Sequence, residues 1–138
     1  MPLKHPFIYI VFLCLFSCNQ SLDNKLLTGY WQIEKVTQGG ETFYPALGNT
    51  QFDYYFLRTD NSGFRKKLSP SLGTTLNTSQ DQTNFQLLQV NGKWVLSFET
   101  PWDQWNETIV RLTEQDLVLA HKDRRYTYQR KEATDGTF

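Results

Sequence analysis

The 138-residue chain has almost no cysteine: there are two, Cys14 and Cys18, both near the N-terminus. The rest of the chain therefore has neither a disulfide framework nor a thiolate metal site. Histidine is equally scarce, with only His5 and His121. A His-rich zinc centre is excluded, and a Ser/His/Asp triad would have to be built on His121. Charge of one sign is missing too: fourteen Lys and Arg balance fourteen Asp and Glu. That argues against a nucleic-acid binder, which carries a basic excess. No window of helical length shows a 3.6-residue apolar period. No serine sits in a nucleophile-elbow context, and Gly39-Gly40 lacks the strand–loop–helix surroundings of a phosphate loop. The expectation is a protein that is not an enzyme and holds no metal and no cofactor.

One long apolar run is present, Phe7 to Phe16. As a helix it spans about 15 Å, half of a bilayer core. That is too short for a membrane span but right for the apolar centre of a signal peptide. Leu15-Phe16-Ser17-Cys18 then resembles the lipobox of bacterial lipoproteins, with Leu at −3, a small residue at −1 and Cys at +1. Phe16 at −2 is bulkier than that pattern prefers. The resemblance implies removal of residues 1–17 and acylation of Cys18 on its thiol and new N-terminus. Two or three acyl chains anchor stably where one is marginal. The alternative is an ordinary secretory signal that ends near a cysteine. Cys14, inside the run, reads as a small hydrophobe. Residues 18–25 form the lipidated cysteine and a flexible tether, 26–131 the domain and 132–138 a tail. The expected location is the bacterial cell envelope, lipid-anchored in the outer membrane at its periplasmic face or at the cell surface.

What is plentiful is aromatic: ten Phe, seven Tyr and four Trp. With β-branched residues they form short alternating runs punctuated by Gly, Asn and Asp, the pattern of an all-β domain. Eight strands are expected, over residues 29–37, 52–58, 64–68, 84–90, 93–100, 108–112, 117–121 and 125–131. Asn91-Gly92 is the strongest hairpin signal among them. Trp94, Leu96 and Phe98 share one face, as do Tyr126 and Tyr128, and with Leu87 they are expected to point inward. The strand at 52–58 is aromatic on both faces, so a covering loop is expected on its outer side. Tight connections alternate with long ones at 38–51, 69–83 and around Pro101-Trp102-Asp103-Gln104-Trp105. In an antiparallel up-and-down meander this puts the long loops at one end, giving an eight-stranded β-barrel with an open mouth and a closed base. Closure also removes exposed sheet edges.

Leu27-Thr28-Gly29-Tyr30-Trp31 carries a Gly-x-Trp motif at the start of the first strand. On this motif, the eight strands and a late arginine, residues 26–131 resemble a lipocalin-type barrel, in particular the small lipocalin-like lipoprotein domains of Bacteroidota. The resemblance implies that Trp31, entered through Gly29, closes the base and that Arg130 stacks on it. Two features depart from the family: Thr113-Glu114-Gln115-Asp116 replaces the Thr-Asp-Tyr motif, and a C-terminal helix is missing.

Candidate binding residues fall at the expected mouth. Trp102, Asp103 and Trp105 offer two indoles beside a carboxylate, suited to stacking on a flat ligand or a sugar; alternatively, the loop folds its indoles inward as a lid. Lys122 and Arg124, with Arg125, can attract an anionic group or simply form a solvated turn. His121 ends its strand nearby. The expected function is a lipid-anchored barrel binding a small hydrophobic or anionic ligand. The alternative is a filled barrel docking on another envelope protein.

Overall fold

The structure, a computed structural model, describes residues 21–48, 51–69 and 77–132. The signal segment, Cys14, Cys18 and the 133–138 tail lie outside the described residues. One turn of 3-10 helix, Asn24–Leu27, is capped by the Asp23 carboxylate, which accepts from the Lys25 amide. Among the described residues nine strands follow: β1 (Gly29–Gln38), β2 (Glu41–Phe43), β3 (Phe52–Leu57), β4 (Ser62–Ser69), β5 (Asn77–Val90), β6 (Lys93–Glu99), β7 (Gln104–Leu112), β8 (Asp116–His121) and β9 (Arg124–Lys131).

From β3 onward each strand pairs antiparallel with the next, and β9 returns to pair with β1. Eight strands thus close an up-and-down barrel, as the alternation predicts. The ninth strand, β2, is not anticipated by the sequence. It folds back on the end of β1 across the Gly39-Gly40 turn, pairing Gln38 with Glu41 and Val36 with Phe43. Register shifts at Ile33/Lys35, Lys66/Leu68 and Ile109/Arg111 bend β1, β4 and β7. Such bulges raise local twist, which a barrel this small needs in order to close.

Two strands begin well before the expected residue. β5 starts at Asn77, not Asn84, and β7 starts at Gln104, not Thr108. Trp105 therefore belongs to a strand and not to the loop before it. The Asn91-Gly92 turn has positive φ at both residues, 52° and 75°, as a two-residue hairpin of this type requires.

The core follows the alternation. Trp31, Leu87, Leu96, Phe98, Leu117, Leu119 and Tyr128 are buried, and Trp94, Tyr126, Leu22 and Leu26 pack against them. Phe85 and Phe98 meet edge to face at 5.5 Å. Among the described residues the outer aromatics of β3 are covered by rings and, over Phe56, by Arg58, and not by a loop. Tyr54 lies 4.9 Å from Tyr30, Phe56 lies 5.4 Å from Phe64, and Arg58 and Lys66 both sit over Phe64.

Gly63 on β4 has no room for a side chain. A methyl group there would overlap the Phe56 carbonyl oxygen and the Phe85 ring. Gly63→Ala is expected to lose about 1–3 kcal/mol to overpacking, read as a lower urea midpoint with an unchanged slope. A midpoint equal to the wild type's would show that the sheet yields there at no cost.

Candidate functional site

The base is assembled from the N-terminal turn inward. Trp31 is fully buried and donates its Nε1–H to the Leu27 carbonyl at 2.9 Å. Arg130 is its direct partner across the β1–β9 ladder, and the guanidinium carbon lies 4.2 Å from the indole centroid. The same guanidinium donates to the carbonyls of Leu26, Thr28 and Glu114. Gly29, with φ of 146°, lets the chain turn beneath it; a side chain there would collide with Arg130. Gly29, Trp31 and Arg130 thus close one end of the barrel.

Above this apolar half the interior turns polar. Asp53 and Glu107 are buried. Arg65 spans the barrel to Glu107 at 3.3 Å and to the Tyr55 hydroxyl at 3.4 Å, with its guanidinium 4.4 Å above the Phe98 ring. Glu107 also accepts the Trp105 Nε1–H at 3.0 Å. Burial alone would lower the Arg65 pKa, but Tyr55 and Glu107 outweigh it and hold the guanidinium charged. Burial pushes the hydroxyls of Tyr55 and Tyr128 well above the ordinary tyrosine value.

Asp53 shares a hydrogen bond with Tyr128, and its pKa is raised, chiefly by burial, against the pull of Lys67 and Arg65. Between the unfolded value, about 3.9, and the raised native one, the folded state binds more protons than the unfolded one. Stability contributed at this residue therefore falls as pH rises through that window. Asp53→Asn is expected to match the wild type near pH 3 and to exceed it above the native pKa, in thermal melts across pH 3–8. A constant offset at all pH values would show that the carboxyl does not titrate in this way.

At the mouth lies an open cavity of about 450 Å³ whose walls include Asp103, Trp105, Glu107, His121, Lys122 and Tyr126. Trp105 lies with one face flat on Phe98, centroids 5.1 Å apart and planes 13° apart. His121 Nδ1 is 2.9 Å from the Asn106 carbonyl oxygen; a proton there leaves Nε2 as the acceptor of a neutral ring. Across Tyr126 a smaller bay of about 190 Å³ opens between Ile33, Val36, Asp53, Lys67 and Tyr128.

Four of the six mouth residues expected from the sequence, Asp103, Trp105, His121 and Lys122, are brought to this one cavity. Two are not. Trp102 is 91% exposed at the tip of the 100–103 turn, away from the core. Arg124 donates to Gln38 Oε1 at 3.0 Å, and Gln38 in turn donates to Asp123, so the cation ties the β8–β9 turn to the end of β1. The two indoles of Pro101–Trp105 therefore neither stack together on a ligand nor both fold inward. The Asp103 turn is itself tightly bonded: the Thr100 hydroxyl accepts the Asp103 amide, and the Thr100 amide donates to the Asp103 carbonyl.

The sequence reading missed Asp53, Arg65 and Glu107. Parity was the available signal. Asp53 alternates with the inward Tyr55, and Glu107 lies between the inward Trp105 and Ile109. Among the described residues no group of three His, Cys, Asp or Glu is placed to hold a metal ion.

The fold is similar to a lipocalin-like protein from Bacteroides uniformis, at 11% identity and TM-score 0.49, covering 77% of this chain and 99% of that one. It is also similar to an uncharacterised protein from Bacteroides eggerthii, at 8% identity and TM-score 0.48, covering 76% and 99% respectively. No curated protein matches the chain. Residues 27–119, from the buried Leu27 to the core of β8, match the model of the lipocalin-like domain, and the chain belongs to that family.

Proposed function

We propose that the protein is a lipid-anchored binding module of the bacterial envelope that holds a small ligand in the cavity at its barrel mouth. The observation that carries this reading is the mouth cavity itself. Its volume of about 450 Å³ falls within the usual range of small-molecule sites, roughly 300–1,000 Å³. An indole, a phenol, an imidazole, a buried carboxylate and a lysine converge on it. β1 begins at the opposite, closed end, so an anchor at Cys18 puts the base toward the membrane and the mouth away from it. The reading is of a binder, not an enzyme, and involves no nucleic acid.

Native mass spectrometry of protein isolated from an envelope fraction tests it. A discrete adduct lost on unfolding supports a ligand; a bare mass that stays bare after incubation with envelope extract contradicts one. For the anchor, Cys18→Ala is expected to move the protein from the membrane pellet to the soluble fraction. Retention in the pellet would rule out acylation at Cys18 as what holds it there.

A second reading, docking on another envelope protein, is favoured by large apolar side chains left in solvent beyond the end of β1 and on the 100–103 turn. Tyr44 is 72% exposed, Leu47 fully exposed, and Phe43 and Trp102 are exposed as well. A crosslinked partner lost on replacing Tyr44 and Leu47 would support it.

A further inference from the structure

The buried core of the barrel leaves no room for an acyl chain. The lower half is filled: Leu27, Trp31, Leu96, Leu117 and Leu119 are fully buried, and Leu87 nearly so. An eight-stranded barrel is only just wide enough for its own side chains, so a long alkyl tail finds no dry slot among them. Above the polar layer two bays that share Tyr126 open into the barrel; a hollow of about 980 Å³ at the other end lies between the N-terminal turn and the β6–β7 side, against Leu22, Leu26, Trp94 and Leu112.

The walls of these bays carry no excess charge. The carboxylates Asp53, Asp103 and Glu107 are offset by Arg65, behind Glu107, and by Lys67 and Lys122. Neither an anion nor a cation is selected by net field. What the bays do offer is aromatic surface beside fixed acceptors. Trp105 has one face on Phe98, so a ligand can meet only the other. Glu107 is oriented by Trp105 and Arg65, and since a carboxylate has about four acceptor positions, it keeps capacity for incoming O–H groups. Asp53 stands at the floor of the second bay with its Tyr128 contact on one side.

We infer that the ligand is a neutral hydroxylated ring, the chemistry of a sugar unit. Its apolar face rests against Trp105 or Tyr126, and its hydroxyls donate to Glu107 and, in the deeper bay, to Asp53. This rests on the mouth being a binding site, as proposed above. Glu107 and Asp53 already have protein partners, but a pure hydrocarbon would strip water from their remaining acceptor positions and return nothing, which disfavours it. A hydroxylated ring supplies donors on its edge and C–H groups on its face, which is the combination the walls present.

The experiment is an NMR titration of the ¹⁵N-labelled protein with a panel of neutral mono- and disaccharides, and in parallel with decanoate and with a zwitterionic dipeptide. The Trp105 indole N–H, bonded to Glu107, reports the mouth; the Trp31 indole N–H, bonded to Leu27, is the internal control at the base. At least one sugar is expected to shift the Trp105 signal saturably while leaving that of Trp31 in place. Glu107→Gln and Tyr126→Leu are each expected to weaken that binding about tenfold or more, with the Trp31 signal confirming that both variants are folded. If decanoate or the dipeptide shifts Trp105 and no sugar does, the ligand class is overturned while the mouth site stands. If a sugar binds but neither variant weakens it, the assigned contacts are overturned. If nothing shifts Trp105 and the isolated protein carries no adduct, the inference and the mouth-binding reading fall together.

Discussion

Trp31→Ala is expected to cost about 3–5 kcal/mol, the range for removing a large buried aromatic, and to lower the melting temperature by roughly 4 °C for each kcal/mol. Three losses coincide at this position. The indole is fully buried, so its removal leaves a cavity that the stiff barrel wall cannot collapse to fill. Its Nε1–H satisfies the Leu27 carbonyl, which would be left inside without that donor. Its face supports the Arg130 guanidinium, an interaction worth about 0.5–2 kcal/mol, and that cation holds three carbonyls, of Leu26, Thr28 and Glu114. Trp31→Phe keeps the ring and loses the donor, and should fall between the alanine variant and the wild type. Arg130→Ala should cost less, about 1–3 kcal/mol, because the side chain is half-buried and its carbonyls can turn to water. Urea denaturation of the three variants gives the ordering directly. A Trp31→Ala loss under 1 kcal/mol would mean that the indole plugs the base without holding it shut.

That prediction rests on a part of the molecule that was legible in the sequence. Gly-x-Trp at the start of one strand and an arginine at the end of the last meet because an up-and-down barrel must bring its first and last strands together. Closure brings the end of β9 beside the start of β1; the pairing of Trp31 with Arg130 is what the family resemblance implies, and the structure has it. The inward row of β6, Trp94, Leu96 and Phe98, was legible for a similar reason: two-residue periodicity survives wherever one face is buried and the other wet. The outer face of β3 was misread because its aromatic residues are half-buried by rings of the neighbouring strands, Tyr30 on β1 and Phe64 on β4, an arrangement that requires both registers to be known.

The mouth was harder to read because the strand there begins earlier than its apolar pattern does. Gln104, Asn106 and Thr108 alternate with Trp105, Glu107 and Ile109, but Pro101 and two nearby indoles make the stretch look like a loop. With Trp105 taken for a loop residue, the glutamate two positions on had no assigned direction. Asp53 was hidden in the same way among aromatic neighbours. Both are inward residues that break the apolar alternation, and such breaks mark positions where local pattern and global fold disagree. They fall at functional or strained sites more often than elsewhere.

The polar layer itself makes the second large prediction. Arg65→Met alone, or Glu107→Leu alone, is expected to cost about 3–5 kcal/mol, because each leaves the partner's charge buried without compensation. The side chains of this pair are 15% and 10% exposed, so water cannot relieve the survivor fully. The double variant Arg65→Met/Glu107→Leu should recover most of that loss and come within about 2 kcal/mol of the wild type, or exceed it, since apolar groups of similar volume replace a buried pair at little or no cost. The residual deficit has named sources. The Trp105 Nε1–H loses its acceptor and the Tyr55 hydroxyl its donor, each worth about 1 kcal/mol. A double-mutant cycle read by urea denaturation measures the coupling. Recovery would mean that the pair does not earn its place through stability, and that a sequence selected for folding alone would have carried hydrophobes there. Its retention would then point to the ring of acceptors at the mouth, and the same double variant should leave the fold intact while abolishing any ligand adduct. Failure to recover, with the double variant as unstable as either single one, would instead make the layer part of the barrel's own architecture and leave the case for a ligand to Trp105, Tyr126 and His121 alone.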